Sequence, residues 1–375
     1  MDVLYSHATA LSLIREHAGD SELARSTRPV LAPARTPSCE LAAAEGDEPT
    51  NTLVSSQAAR MAHPRLRTHL HVRPLPSGAV LSVGPALGRQ ERLRVCSPEV
   101  VFIQLAGSLR PAELVLLGYE LCGSYSVRPS SGELVEREPL TTPVRLANMI
   151  GRCTGMHGVR SARRALRHVL PGSASPFESI LSMLAHLPPS LGGYGLGVPE
   201  LNPVLAVPSA TRAITSQRTV SPDELFAECD EAIEYESDEY HLDSEKHTRD
   251  SHRRSVLAHM GIHVTTITRG QIFDVDMFDA AMRGLARSMG RRLRVGSPAW
   301  KAARRQLRKT LLDPYREKQR EIAELQRHMA GADDVWGGDD APALPPDWRD
   351  LERGAAEEAH DASAMEEAEF WRSVE

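Results

Sequence analysis

The stretch "EAIEYESDEYH" (residues 231–241) puts five carboxylates and a histidine into eleven positions. Its first half, "EAIEYE", reads as a β-strand. Alternate residues of a strand share a face. Glu234 and Glu236 therefore point one way, and Ile233 and Tyr235 point the other way, into a core. Two like charges side by side in a sheet cost roughly 0.2–1 kcal/mol. Something must offset that: water on an exposed face, or a divalent cation bridging the pair. Mg²⁺ prefers carboxylate oxygens in octahedral geometry.

The surroundings bear on the choice. Asp223 lies eleven residues before Glu234, and a short hairpin would bring it beside the pair. Upstream, "SPFE" opens a helix with Ser175 as N-cap, Pro176 in the first turn and Glu178 three residues after the cap, the pattern of a capping box. Ile180, Leu181, Leu184 and Leu187 form its buried side. His241 follows the acidic strand, and "KHTRD" adds Lys246, His247, Arg249 and Asp250. Acids from a helix and two strands, followed by basic residues, suit metal-assisted hydrolysis of a phosphodiester, in which the metal polarises phosphate and acidifies the attacking water.

The same region continues with a helix ending at Gly261, with Val256, Leu257 and Met260 facing inward. Then come a β-branched strand, "IHVTTIT", and an amphipathic helix, "VDMFDAAMRGLARSMGRRL". A further short strand is expected somewhere in 204–220. The order helix, strand, strand, helix, strand, helix describes a small mixed α/β domain.

As an ordered set, "GSASPFE", "PDELFAECDEAIEYESDEYH" and "RDSHRRSVLAHMGIHVTTIT" resemble a domain of unknown function related to very-short-patch-repair (Vsr-like) endonucleases. That group belongs to the PD-(D/E)XK restriction-endonuclease-like superfamily. The resemblance covers residues 168–295, roughly a third of the chain. It implies an α/β (α+β) fold with a restriction-endonuclease-like core, a small mixed sheet flanked by helices. It also implies Mg or Mn as cofactor and DNA as partner. Asp223 matches the first metal-binding Asp, Glu234 the Glu of the second strand and Glu236 its partner Asp. Glu178 matches the helix carboxylate and His241 the His after the turn. Arg249 and Asp250 match the "RD" of the next helix, and Lys246, Arg249 and Arg253 are the expected DNA contacts there. The sequence departs from the pattern in four ways. Glu236 is one methylene longer than the Asp it matches, which moves its oxygens outward. Pro222 has no N–H for a sheet ladder. "CDEA" is a polar lead-in to the second strand. The superfamily lysine is not in its nominal place, and Lys246, Arg249 and His241 are open substitutes. The upstream half resembles, more distantly, regions of abortive-infection antitoxin-type regulators. That leaves a second reading open: a non-catalytic DNA-binding regulator on a degenerate nuclease fold.

Upstream, residues 19–60 read as loop-rich. "HLHVRPLPSGAVLSVG" (69–84) reads as a hairpin or a pair of short strands. Ser97 and Pro98 open a helix with Val100, Val101, Leu105 and Ala106 inward, and a second helix runs through Leu114–Leu121 to Gly123. Arg160, Arg163, Arg164 and Arg167 recur at helical spacing and form one stripe, either a solvated face or a phosphate track. Arg283, Arg287, Arg291, Arg292 and Arg294 form another. The division is 1–95 mixed, 96–167 helical, 168–295 endonuclease-type, 296–330 basic and helical, and 331–375 acidic.

The net charge of −6 hides a split. From Gly331 onward fourteen Asp/Glu face three Arg, so the first 330 residues carry about +5. The acidic segment is expected not to fold alone, and to bind a basic partner or the protein's own basic surface. The five cysteines are scattered with no CxxC pair, which argues for a reducing, cytoplasmic setting and against a thiolate zinc site. The opening residues lack a basic n-region and an apolar core, so a secretory signal is not expected. No apolar run reaches the roughly 18 residues of a membrane span. A second copy of the chain is an open partner.

Overall fold

The computed structural model describes residues 3–17, 24–35, 49–85, 92–236 and 244–333. The first half contains β1 (Leu4–Tyr5), α1 (His7–Glu16), β2 (Ala24–Arg25), β3 (Thr50–Val54), β4 (Ala62–His63), β5 (Leu66–Leu70), β6 (Val80–Pro85) and β7 (Arg92–Cys96). α2 (Pro98–Leu105), α3 (Pro111–Cys122), β8 (Tyr125–Val127), β9 (Leu134–Glu136), α4 (Pro143–Arg152) and α5 (Val159–Leu166) follow. The second half contains α6 (Pro176–His186), β10 (Glu200–Leu201), β11 (Leu205–Ala206), β12 (Thr219–Val220), β13 (Glu224–Phe226) and β14 (Glu231–Glu236). It ends with α7 (Ser244–His259), β15 (His263–Thr268), α8 (Arg269–Phe273), α9 (Val275–Ser288) and α10 (Pro298–Asp333).

Among the described residues, a mixed seven-stranded sheet runs β2-β6-β7-β1-β3-β5-β4. α2 packs between α1, α4 and α5, and every one of its eight residues is buried. Such a helix is apolar on all sides because it is the centre of its layer. Its one acid, Glu99, is held by Arg25 at 2.9 Å and Thr141 at 2.6 Å.

The second sheet is small and mixed: β10-β13-β14-β15. β10 and β13 pair antiparallel, as do β13 and β14. β14 and β15 are parallel and are joined by α7, the crossover that parallel neighbours need. Both faces are covered. Ile233, Phe226 and Ile267 join a core that runs without a break from Leu4 to Leu312. Leu225 and Ala232 face Val256, Leu257 and Ile262 in a smaller cluster under α7. The large cluster crosses the boundary drawn at residue 168, and Phe177, Ile180 and Leu184 of α6 lie in it beside Leu114 and Leu121 of α3.

One expectation is narrowed and two are corrected. Residues 69–84 form no hairpin. The alternative, a pair of strands, holds: β5 pairs with β3 and β4, while β6 pairs with β2 and β7. The loop expected over 19–60 contains β3, whose Leu53 and Val54 are buried. Its polar start, "TN", masked the alternation. The strand expected within 204–220 is not part of the second sheet: β11 and β12 pair only with each other, and the sheet strand is Glu200–Leu201. Pro203 and Pro208 interrupt the ladder there. The basic helix beyond residue 295 is α10, and its Trp300, Leu307, Leu311 and Leu312 are core residues. No helix among the described residues is long and apolar enough to cross a membrane.

Candidate functional site

Ser175 caps α6 by accepting the Glu178 N–H at 3.2 Å. Glu178 closes the turn one residue earlier than a capping box requires: its Oε2 accepts from the Ala174 N–H at 2.9 Å. The same oxygen accepts from Asn202 Nδ2 at 2.7 Å. Asn202 holds a left-handed backbone (φ 47°) after β10, and its N–H donates to the Asp223 carbonyl at 2.9 Å. Asp223 Oδ2 in turn accepts the Tyr235 N–H at 2.7 Å. A chain of hydrogen bonds therefore links the helix acid, the acid ahead of β13 and the middle of β14. The hairpin expected from the spacing of Asp223 and Glu234 is present, with Glu224 opposite Ile233.

Burial, and then the negative charge of Asp223, push the Glu178 carboxyl up to about 7. The adjacent Glu224 was not singled out from the sequence. It is fully buried, and neither of its oxygens has a hydrogen-bond partner among the described residues. Burial, followed by Asp223 and Glu178, pushes its carboxyl well above the usual carboxylate range. Glu178 and Glu224 thus both feel the charge of Asp223.

The acidic strand behaves otherwise. Tyr235 turns inward and stacks on Phe177, with ring centroids 5.6 Å apart, and Ile233 is fully buried. Glu234 and Glu236 share the opposite face, as their alternation requires. Two arginines of α7 cover that face. Glu234 is 3% exposed and forms an ion pair with Arg253 of α7. Glu236 faces Arg254 at 3.7 Å. Arg254 also reaches Thr266 of β15 at 3.3 Å. The repulsion within the strand is offset by two arginines of the crossover helix. Arg253, expected as a DNA contact, is turned onto the sheet.

Glu231, in the polar lead-in, is also buried. It accepts from Thr265 at 3.0 Å and from Ser288, and it meets His263 Nδ1 at 2.5 Å. A strand start that looks too polar is satisfied by three neighbours. Pro222 lies just ahead of β13, where no ladder N–H is needed.

The remaining candidates divide. His241 lies outside the described residues, as does the acidic segment from residue 334. Lys246, Arg249 and Asp250 are placed on α7 by its backbone alone. Arg160, Arg163, Arg164 and Arg167 stand exposed along α5 and just past its end. Of the second stripe, Arg291 is spent on the fold, where it pairs with Glu228 at 2.8 Å and donates to the Leu196 carbonyl. Among the described residues no three His, Cys, Asp or Glu side chains stand together as a ready-made metal-binding group. No family model, curated protein or solved structure matches the chain.

Proposed function

We propose that α6, β13, β14, α7 and β15 form a restriction-endonuclease-like core, and that the protein acts on DNA by metal-dependent hydrolysis of phosphodiester bonds. The observation that carries this reading is the hydrogen-bonded chain from Glu178 through Asn202 and Asp223 to Tyr235. It ties a helix acid and the acid ahead of β13 to the backbone of the strand that carries Glu234, in the order the resemblance implies. The acids fit a hard divalent cation on their own chemistry. Glu178 and Asp223 both offer carboxylate oxygens, and of the two causes that raise Glu178 to about 7, burial first and then the charge of Asp223, the second is a repulsion that a cation relieves. Asp223 and Glu178 would hold Mg²⁺ or Mn²⁺, joined by Glu234 once Arg253 leaves it. Bound there, the metal supplies Lewis-acid polarisation and an activated water. The exposed arginines of α5 supply phosphate contacts.

A second reading is favoured by one observation: Arg253 and Arg254 already neutralise Glu234 and Glu236. On that reading the core is a non-catalytic DNA-binding regulator with a retired site. Plasmid nicking with Mn²⁺, beside calorimetric Mn²⁺ titration, separates the two. Asp223→Asn keeps the acceptor for the Tyr235 N–H and removes the charge. Nicking and Mn²⁺ binding by the wild type, both lost in Asp223→Asn, are the expected result. Wild-type activity in the variant overturns the proposed site. DNA binding without nicking in the wild type selects the regulator.

A further inference from the structure

The first half of the chain carries a cluster that the acidic site does not use. Two cavities of about 650 and 450 Å³ adjoin, sharing His7, His69, Gln104 and His157 as lining. The larger is also lined by His71, Arg60, Arg73 and Arg152. The smaller is lined by Arg67 and Asn51. Among the described residues no Asp or Glu lines either one. In a chain where carboxylates outnumber Lys and Arg, fifty to forty-four, a cleft whose described lining holds four arginines, four histidines and no acid is a strong local bias.

The histidines are built into place. His7 begins α1 with a left-handed backbone, φ 52°, a conformation that costs a non-glycine residue of order 1 kcal/mol. Its N–H donates to Gln104 Oε1 at 2.9 Å, and its ring stacks on His69 with centroids 3.7 Å apart. His69 Nε2 meets Asn51 Oδ1 at 2.9 Å. Arg152 is oriented by a 2.8 Å bond to Ser77 Oγ. Burial, then the neighbouring His69 and His157, hold His7 down at about 3. The imidazole is therefore neutral near pH 7, and the positive charge of the cleft comes from its arginines.

We propose that these two cavities form one binding site for a phosphate group carried by a ligand of nucleotide size. Arg60, Arg67 and Arg73 line it and are exposed residues, and guanidinium groups are the donors best matched to phosphate oxygens. His7, His69 and Gln104 form its floor. The larger volume suits a small molecule. The phosphate belongs either to a free nucleotide or to a nucleic-acid strand, since both present the same chemistry to the arginines. The site is separate from the acids of α6 and β13, so it stands whether or not the nuclease reading does.

The test is calorimetry on the full chain with three probes: inorganic phosphate, a nucleoside monophosphate and a single-stranded hexanucleotide. Arg60→Ala/Arg73→Ala removes two exposed donors from the cleft. Lys301→Ala/Arg305→Ala removes equal charge from an exposed part of α10 and serves as the control. We expect saturable binding, at least tenfold weaker in the cleft variant and within twofold of wild type in the control. Tightest binding of the monophosphate assigns the site to a free nucleotide, and tightest binding of the hexanucleotide assigns it to a strand. No saturable binding of any probe overturns the proposal. So does an equal loss in the control variant, or no loss in the cleft variant.

Discussion

Glu99 and Glu224 are both buried glutamates, and they show what a partner does to a carboxyl. Burial alone would raise Glu99, but Arg25 and Thr141 outweigh it and hold the group below the usual range. Glu224 has no such partner among the described residues, and burial with Asp223 and Glu178 keeps it neutral. The folded state then retains a proton that the unfolded chain releases above about pH 4.5. A raised folded pKa gives stability that is present in acid and lost as pH rises. Glu224→Gln removes that proton linkage. Its stability should match wild type near pH 4 and exceed it increasingly as pH rises above the ordinary carboxylate range. Urea melts from pH 4 to 8 measure the gap, and a gap independent of pH would refute the assignment. Glu178 acts in the same sense up to about 7. His7 at about 3 and His186 at about 4 act in the opposite sense. Burial depresses them, so the native state loses stability as pH falls below about 6.5. Wild-type stability, as far as these four groups govern it, should peak between about pH 4.5 and 6.5 and fall on either side. Melts that rise steadily from pH 5 to 8 would contradict it.

α7 and β14 depend on each other through Arg253 and Glu234. A buried ion pair is weak evidence of net stability, but breaking one side leaves a buried charge and costs about 3–5 kcal/mol. Arg253→Met should lose an amount of that order. Arg253→Met/Glu234→Leu should regain most of it, since two apolar groups can replace the pair. A double variant no more stable than the single one would show that Glu234 finds its charge balance elsewhere. This element also marks how much was legible in the sequence. The alternation of "EAIEYE" set which side chains face the core, and Ile233 and Tyr235 are there. The eleven-residue spacing to Asp223 set a hairpin, and it is present. Two things stayed hidden. The pairing of Arg253 and Arg254 with the strand was hidden because their partners are remote in sequence, nineteen and eighteen residues back. Glu224 was not singled out, because a three-residue strand has too little alternation to declare a buried face. A short strand beside a proline takes its register from its neighbours, which composition does not record.

At the scale of the whole molecule, charge is sorted along the chain and over its surface. Ending the chain after Asp333 keeps α10 whole and removes thirteen carboxylates against three arginines, leaving about +4 in place of −6. The positive charge that remains includes the exposed arginines of α5 and of α9, where Arg283 and Arg287 face solvent. Removing the acidic segment should therefore tighten binding to duplex DNA, most strongly at low salt, by raising the potential over these faces. Counterion release fixes the form of the result. Each phosphate neutralised contributes about −0.9 to the slope of log K against log salt, so engagement of four arginines gives a slope of about −3.6. Arg160→Ala/Arg164→Ala should reduce it by up to about 1.8 without altering the melt, because both side chains point away from the core. Fluorescence anisotropy of the shortened chain at several salt concentrations reads the slope directly. A flat salt dependence would remove DNA as a partner of the basic surface. An unchanged slope in the double variant would move the phosphate track off α5 and onto another face.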